Sequence, residues 1–267
     1  WREQPGTLHD AVDPLDGDLE LLVVDPLDDR PELGQLLLVA GGDFLDGTIT
    51  RWLDESLAVF ATTAGRYVVG RMRHPVRQRE ATRADIRGFF GGVLDYAEID
   101  LSTQPHPCEL TGALVIDRAR GLGFAGLSER CDAEGARLMH EALGLRATLV
   151  FDLADGEYHT NVVLAVLAGR AAMVCPGGLA DPSVVDAIAA LYAPHAIMLS
   201  PAEHAAFAGN AIALSEDTVW MSDGAGRALA PATRAALAAA GFALHTVGID
   251  AIEAGGGSLR CCIGEVY

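Results

Sequence analysis

The chain has 267 residues, 50% hydrophobic and 21% charged, an ordinary globular composition with enough length for one large core or two small ones. Its formal net charge of -18 repels phosphate, so nucleic acid is not an expected partner. All 19 basic residues are Arg, which removes Schiff-base and P-loop lysine chemistry from consideration.

No stretch approaches the roughly 18 consecutive apolar residues of a membrane span, and the opening WREQPGTLHD has neither a basic n-region nor an apolar h-region. The five cysteines, Cys108, Cys131, Cys175, Cys261 and Cys262, form no CxxC pair and no cluster with zinc-ligand spacing, so no metal site is expected. An odd count without a secretory signal points to reduced thiols and a cytoplasmic setting.

In chain order, residues 1–50 show no clear unit. From there a pattern of strand, strand, helix, strand recurs. LAVF ending at Phe60, RYVVG from Arg66, a charged helix over VRQREATRADIRGFF and YAEIDL from Tyr96 make a first copy. GALVI from Gly112, LGFAGLS from Leu122, an amphipathic helix CDAEGARLMHEALG and ATLVF from Ala147 make the second. NVVLAV from Asn161, AAMVC, a helix with Asp181 as N-cap and Pro182 at its first position, and AIMLS make the third. NAIAL from Asn210, TVWMS, PATRAALAAA and FALHTV make the fourth.

Aligned on their first strands at Val115, Leu164, Ala213 and Cys262, the copies are 49 residues apart (164 − 115, 213 − 164 and 262 − 213). Units of this size cannot bury their faces alone. The expectation is a single α/β domain over 1–267, a five-bladed α/β propeller with repeats at 51–104, 105–158, 159–207 and 208–257. Residues 1–50 with 258–267 would supply a divergent closing unit. A doubly wound sheet is the alternative, but it calls for one strand per helix, and here strands come in pairs.

Polar residues gather at the starts of the predicted first strands: Glu109, His159, Asn161, Asn210 and Cys261. The chain's only two Asn, Asn161 and Asn210, are again 49 apart (210 − 161). Alone, Cys261 reads as a small buried hydrophobe and His159 as a core histidine. Together with Glu109 they make a nucleophile, a general acid/base and an orienting carboxylate. Gly255, Gly256 and Gly257 before the cysteine permit close approach and positive φ, Arg260 beside it favours a thiolate, and alternation puts Cys261 and Cys262 on opposite faces. Arg77 is the arginine singled out to hold a substrate carboxylate, ahead of Arg71, Arg79 and Arg260.

The motifs ELTGALVIDR, YHTNVVLAV, FAGN, MSDGA and IEAGGGSLRC together resemble the pentein superfamily of guanidino-group-modifying enzymes, closest to its citrulline-hydrolase, amidinotransferase-labelled branch. The resemblance covers about residues 105–267. It implies Cys261 as nucleophile, His159 as catalytic histidine and Glu109 as acid, with Asn161, Asn210, Gly257 and Arg77 in substrate binding. No cofactor is implied, and a small ureido or guanidino compound is the implied partner. Arginine-processing members place Asp two residues after the His; Asn161 stands there and suits a neutral ureido group. The family's N-terminal PDSxFPNN segment corresponds to LDESLAVFATTAG, with Leu57 at its acidic position and Thr62 and Thr63 at its Asn pair. Hydrolysis is the leading expectation, transfer to an amine the second, and a binding module without turnover the third.

Overall fold

A computed structural model of the chain describes residues 20–22, 36–39 and 59–267. The Leu57 position lies outside these. The described strands are β1 (Glu20–Leu22), β2 (Leu36–Val39), β3 (Phe60–Thr63), β4 (Arg66–Val69), β5 (Ala97–Asp100), β6 (Leu114–Asp117), β7 (Leu122–Leu127) and β8 (Ala147–Asp152). They continue with β9 (Leu164–Leu167), β10 (Ala171–Val174), β11 (Ala196–Met198), β12 (Ile212–Ala213), β13 (Thr218–Ser222), β14 (Ala243–Val247) and β15 (Ile263–Val266).

Among the described residues the strands form five three-stranded sheets. In four of them the first strand pairs antiparallel with the second, and the third returns parallel to the second. A parallel return needs a crossover, and helical segments supply it: α1 (Ala133–Ala142), α2 (Pro182–Leu191), α3 (Pro231–Ala239), and a shorter series of turns over 77–93. The fifth sheet joins distant parts of the sequence, with β2 antiparallel to both β1 and β15.

Middle strands carry the core because both their faces are covered. All four residues of β10 are buried, as a continuous apolar run in such a position should be. They belong to the largest apolar cluster, with Phe124, Leu164, Ile188, Tyr192, Val219 and Leu237. Burying each such side chain is worth about 1.5–3 kcal/mol. The helices begin where the sequence says: the Asp132 carboxylate accepts from Gly135 N at 2.7 Å, and Asp181 accepts from Ser183 N at 2.8 Å ahead of Pro182.

Two expectations change. The inner strand of the first copy is Phe60–Thr63 and does not end at Phe60. Thr62, aligned with the first of the family's Asn pair, lies on this strand: its Oγ1 donates to Glu265 O at 2.7 Å and accepts from Tyr267 N at 3.2 Å, tying β3 to β15. The charged helix over 76–90 is instead three short pieces, a 3-10 turn Arg77–Thr82, an α turn Ala84–Gly88 and a π turn Phe89–Val93.

Glu203 shows how neighbouring units are joined. Its Oε2 accepts from Ser200 N and Oγ, each at 2.7 Å, closing a capping box. Its Oε1 accepts from Ala230 N at 3.0 Å and Thr233 Oγ1 at 2.5 Å, at the start of α3. Burial opposes ionisation, yet these donors outweigh it and hold the carboxyl down at about 2. Glu203→Ala strands buried donors on two elements, so an expected loss of about 2–4 kcal/mol should appear in urea unfolding at pH 7. Because the folded value lies below the ordinary 4.5, the stabilisation is complete above that pH and lost as pH falls toward 2. The gap between variant and parent should therefore narrow in acid.

Among the described residues no helix is long and apolar enough to cross a membrane. Nor do three or more His, Cys, Asp or Glu group there as metal ligands. All five cysteines are free thiols.

Candidate active site

Three inner strands are each entered through a four-residue helical turn. Leu110–Ala113 precedes β6, Thr160–Val163 precedes β9, and Leu259–Cys262 precedes β15. Their N-cap residues are Glu109, His159 and Ser258. Glu109 and His159 are 50 residues apart, so Leu114 and not Val115 is the counterpart of Leu164. The 49-residue spacing holds for Asn161 and Asn210.

The turns decide which way each side chain points. Their fourth residues, Ala113, Val163 and Cys262, are all buried, at 0%, 0% and 6% exposure. Their third residues are Gly112, Val162 and Cys261, and Cys261 is half-buried. The two cysteines thus do face differently, through a 3-10 turn rather than strand alternation. Cys262 Sγ turns back to Ser258 O at 3.4 Å.

The second residues link unit to unit. Asn161 Nδ2 donates to Thr111 O at 3.1 Å, Asn210 Nδ2 to Asn161 O at 2.9 Å, and Arg260 N to Asn210 Oδ1 at 2.8 Å. This belt places both amides against the Cys261 sulfur, with Asn210 Nδ2 at 3.4 Å and Asn161 Nδ2 at 3.7 Å. Asn161 shares its turn with His159, so the belt that holds the sulfur also fixes the histidine's backbone.

His159 and Glu109 form a buried pair, His159 Nε2 to Glu109 Oε2 at 2.9 Å, with 5% and 0% exposure. Glu109 also accepts from Arg73 N at 2.9 Å, Arg77 NH1 at 3.0 Å and Arg130 NH1 at 3.2 Å. Burial works against its charge, but the His159 hydrogen bond and the surrounding positive groups prevail and hold it at about 2. An ionised carboxylate accepts, so Nε2 carries the proton and Nδ1 is the ring's proton acceptor. Burial pushes His159 below its ordinary value, with Arg77 and Arg130 adding to this and Glu109 opposing. The ring is therefore neutral near pH 7.

Gly112 lies against that ring. A Cβ there would stand 2.6 Å from His159 Cε1 and 2.7 Å from Nδ1, so only glycine lets the imidazole sit where it does. Tyr158 also packs on His159, with centroids 4.9 Å apart, and donates from its hydroxyl to Gly256 O at 2.6 Å. Gly256, at φ +96°, belongs to the glycine run leading to Cys261. Gly257 is buried beside Ser258.

Two arginines have other work than the sequence suggested. Arg77, expected at a substrate carboxylate, is buried and bonded to Glu109 and to Glu80 Oε1 at 3.1 Å. Arg260, expected to favour the thiolate, directs its guanidinium to Ile263 O at 3.0 Å and Glu265 Oε2 at 2.7 Å. Sequence reasoning missed Arg130 and Tyr158. Tyr158 adjoins His159 in the sequence, but no local signal marks Arg130.

Repeated small mixed three-stranded sheets match the pentein fold, and this chain belongs to the pentein superfamily of guanidino-group-modifying enzymes. More specifically, residues 57–267 match the family model described as N,N dimethylarginine dimethylhydrolase, eukaryotic, and the chain belongs to that family. Among solved structures it is similar to the N-terminal domain of ArgZ, an arginine dihydrolase of the ornithine-ammonia cycle in Cyanobacteria, as a cysteine-to-serine mutant bound to substrate. That likeness has 20% identity and a TM-score of 0.68 over 80% of this chain and 75% of that one. Unliganded AgrE matches at 22% identity and a TM-score of 0.69, over 80% of this chain but 30% of its own. A histidine-to-glycine mutant of dimethylarginine dimethylaminohydrolase, as its adduct with S-methyl-L-thiocitrulline, matches at 20% identity and 0.62, over 79% and 76%. No curated protein sequence matches the chain.

Proposed function

We propose that this protein hydrolyses a C–N bond of an arginine-like guanidino compound through a covalent adduct on Cys261. The observation that carries the reading is the buried Glu109–His159 pair, set in the same turn as the Asn161 amide that lies on the Cys261 sulfur. We take the five sheets as blades of one closed ring, with β15 seated beside β3 through Thr62.

In the proposed sequence the Cys261 thiolate attacks the central carbon of the guanidinium. The proton that Cys261 gave up in forming the thiolate is taken by His159 Nδ1; as the C–N bond to the departing nitrogen breaks, that nitrogen takes this proton from Nδ1. Water then loses a proton to His159 Nδ1 and attacks the carbon of the S-linked adduct. The C–S bond breaks, the thiolate is restored, and the products are a ureido compound and ammonia or an alkylamine. Glu109 holds the ring in one tautomer and stabilises the imidazolium when it forms, while Arg77 and Arg130 hold Glu109.

A ureido substrate is the second reading, favoured by the amides of Asn161 and Asn210 at the sulfur. An amide supplies both donor and acceptor and has no charge to demand a cation. The test incubates the protein with arginine, methylated arginines and citrulline, follows ammonia and alkylamine release, and seeks an adduct on Cys261 by intact mass. Release from the guanidino compounds supports the first reading and release from citrulline the second. No release and no adduct with any of them overturns both.

Gly112→Ala tests the histidine's seat. The added methyl cannot coexist with the ring in place, and displacement of about 1 Å should lower kcat by about 100-fold. Thermal melting should show the variant still folded.

A further inference from the structure

Asn210 has no exposed surface, and each of its polar atoms is committed. Its Oδ1 accepts the Arg260 N–H at 2.8 Å, which fixes which end of the amide is nitrogen. One Nδ2 hydrogen then serves Asn161 O at 2.9 Å, and the other faces the Cys261 sulfur at 3.4 Å. Both of the amide's N–H donors are thereby used, and its oxygen already accepts one hydrogen bond, so no N–H remains to meet a substrate. The sequence expectation that Asn210 binds substrate is replaced by a different task.

We infer that Asn210 is a positioning residue for the nucleophile, an amide anchored on two neighbouring turns so that its remaining N–H stabilises Cys261 as a thiolate. The inference rests on the proposed role of Cys261 and deepens it. A thiolate accepts a hydrogen bond more strongly than a thiol does, so a donor fixed at that distance favours ionisation. The Asn161 amide lies further off, with Nδ2 at 3.7 Å and Oδ1 at 3.9 Å from the sulfur, so it can donate to the thiolate or accept from the thiol, and Asn210 is the amide that favours the charged form. The anchoring partners are main-chain atoms, Asn161 O and Arg260 N, so the donor cannot turn away without breaking the belt.

The test needs no substrate. Iodoacetamide alkylation of Cys261, followed by mass against pH, reports the fraction of thiolate. In Asn210→Ser, which cannot bridge to the sulfur, the pH midpoint of alkylation should rise by about one unit. In Asn210→Asp, which sets a carboxylate there, it should rise further. The unaltered protein gives an independent reading, because with only two Asn in the chain, [15N]asparagine labelling yields two side-chain amide pairs by NMR. One proton of the Asn210 pair should move with pH along the alkylation curve, and should cease to do so in Cys261→Ser.

An unmoved Asn210 resonance overturns the inference even if neither variant folds. So does a folded variant with the parental alkylation curve and a raised KM, which would make Asn210 a substrate contact. Absence of turnover with every guanidino and ureido compound, alongside the predicted thiol and amide titrations, would overturn the proposed reaction and leave this role standing.

Discussion

Cys261→Ser is expected to lower turnover of whichever guanidino or ureido substrate proves active by about four orders of magnitude or more, with no adduct detectable by intact mass. The size follows from loss of a group that forms and breaks the covalent bond in both halves of the reaction, for which a hydroxyl is a far poorer attacking atom at neutral pH. Stability should hardly change, because Cys261 is half-buried and serine keeps its size and its capacity to hydrogen-bond the Asn161 and Asn210 amides. Cys262→Ser is the contrast. It places a hydroxyl at a buried site whose neighbour is Ser258 O, and should cost stability while leaving the adduct on Cys261 observable. Reversal of these outcomes would exchange the roles of the two thiols.

Glu109→Gln should have the second largest effect, and on two quantities at once. Glutamine keeps the shape but removes the charge that Arg77 and Arg130 face at 3.0 and 3.2 Å. Leaving the buried Arg77 and the part-buried Arg130 less compensated is expected to cost about 3 kcal/mol in urea unfolding at pH 7. The imidazolium also loses its partner, so His159 falls further below its ordinary value and transfers protons less well, lowering kcat by about 10²–10⁴-fold. The pH dependence has a definite sign. The folded value of about 2 against an ordinary 4.5 corresponds to about 3 kcal/mol, present above pH 4.5 and lost as pH falls toward 2. His159, also depressed, acts in the same direction, since its contribution is complete above its unfolded value and lost on acidification. The parent's stability should therefore fall steeply in acid, and that of Glu109→Gln should fall less.

Much of this arrangement was legible in the sequence, for reasons that can be named. Paired strands between helices are visible because β4, β7, β10 and β13 are apolar runs bounded by turns, and Asp132 and Asp181 announce their helices. Glu109, His159, Asn161, Asn210 and Cys261 stood out by position; the fold pairs Glu109 with His159 and sets the amides of Asn161 and Asn210 by the Cys261 sulfur. The helical turns before the inner strands were read as strand, because four residues such as TNVV are too short to show a helical period. That misreading shifted the alignment by one residue and put Val115 where Leu114 belongs. The arginines could not be placed, since a guanidinium's partner is chosen by tertiary geometry. Glu80 and Glu109 claim Arg77 and Glu265 claims Arg260, and no local pattern distinguishes these from arginines left to solvent.

The fifth sheet sets the order in which the site can be made. Ile263 of β15 pairs with Val39 of β2, across a separation of 224 residues (263 − 39). Closing so long a loop carries an entropic cost that contacts formed earlier must offset. During synthesis the hairpins and crossovers carrying Glu109, His159, Asn161 and Asn210 leave the ribosome before Cys261, and their pairings span far shorter loops. Cys261 is then the last of these five residues to arrive, and it docks against the side-chain amides of Asn161 and Asn210. In the proposed reaction, a nascent chain therefore carries no reactive thiol until the four earlier sheets have left the ribosome.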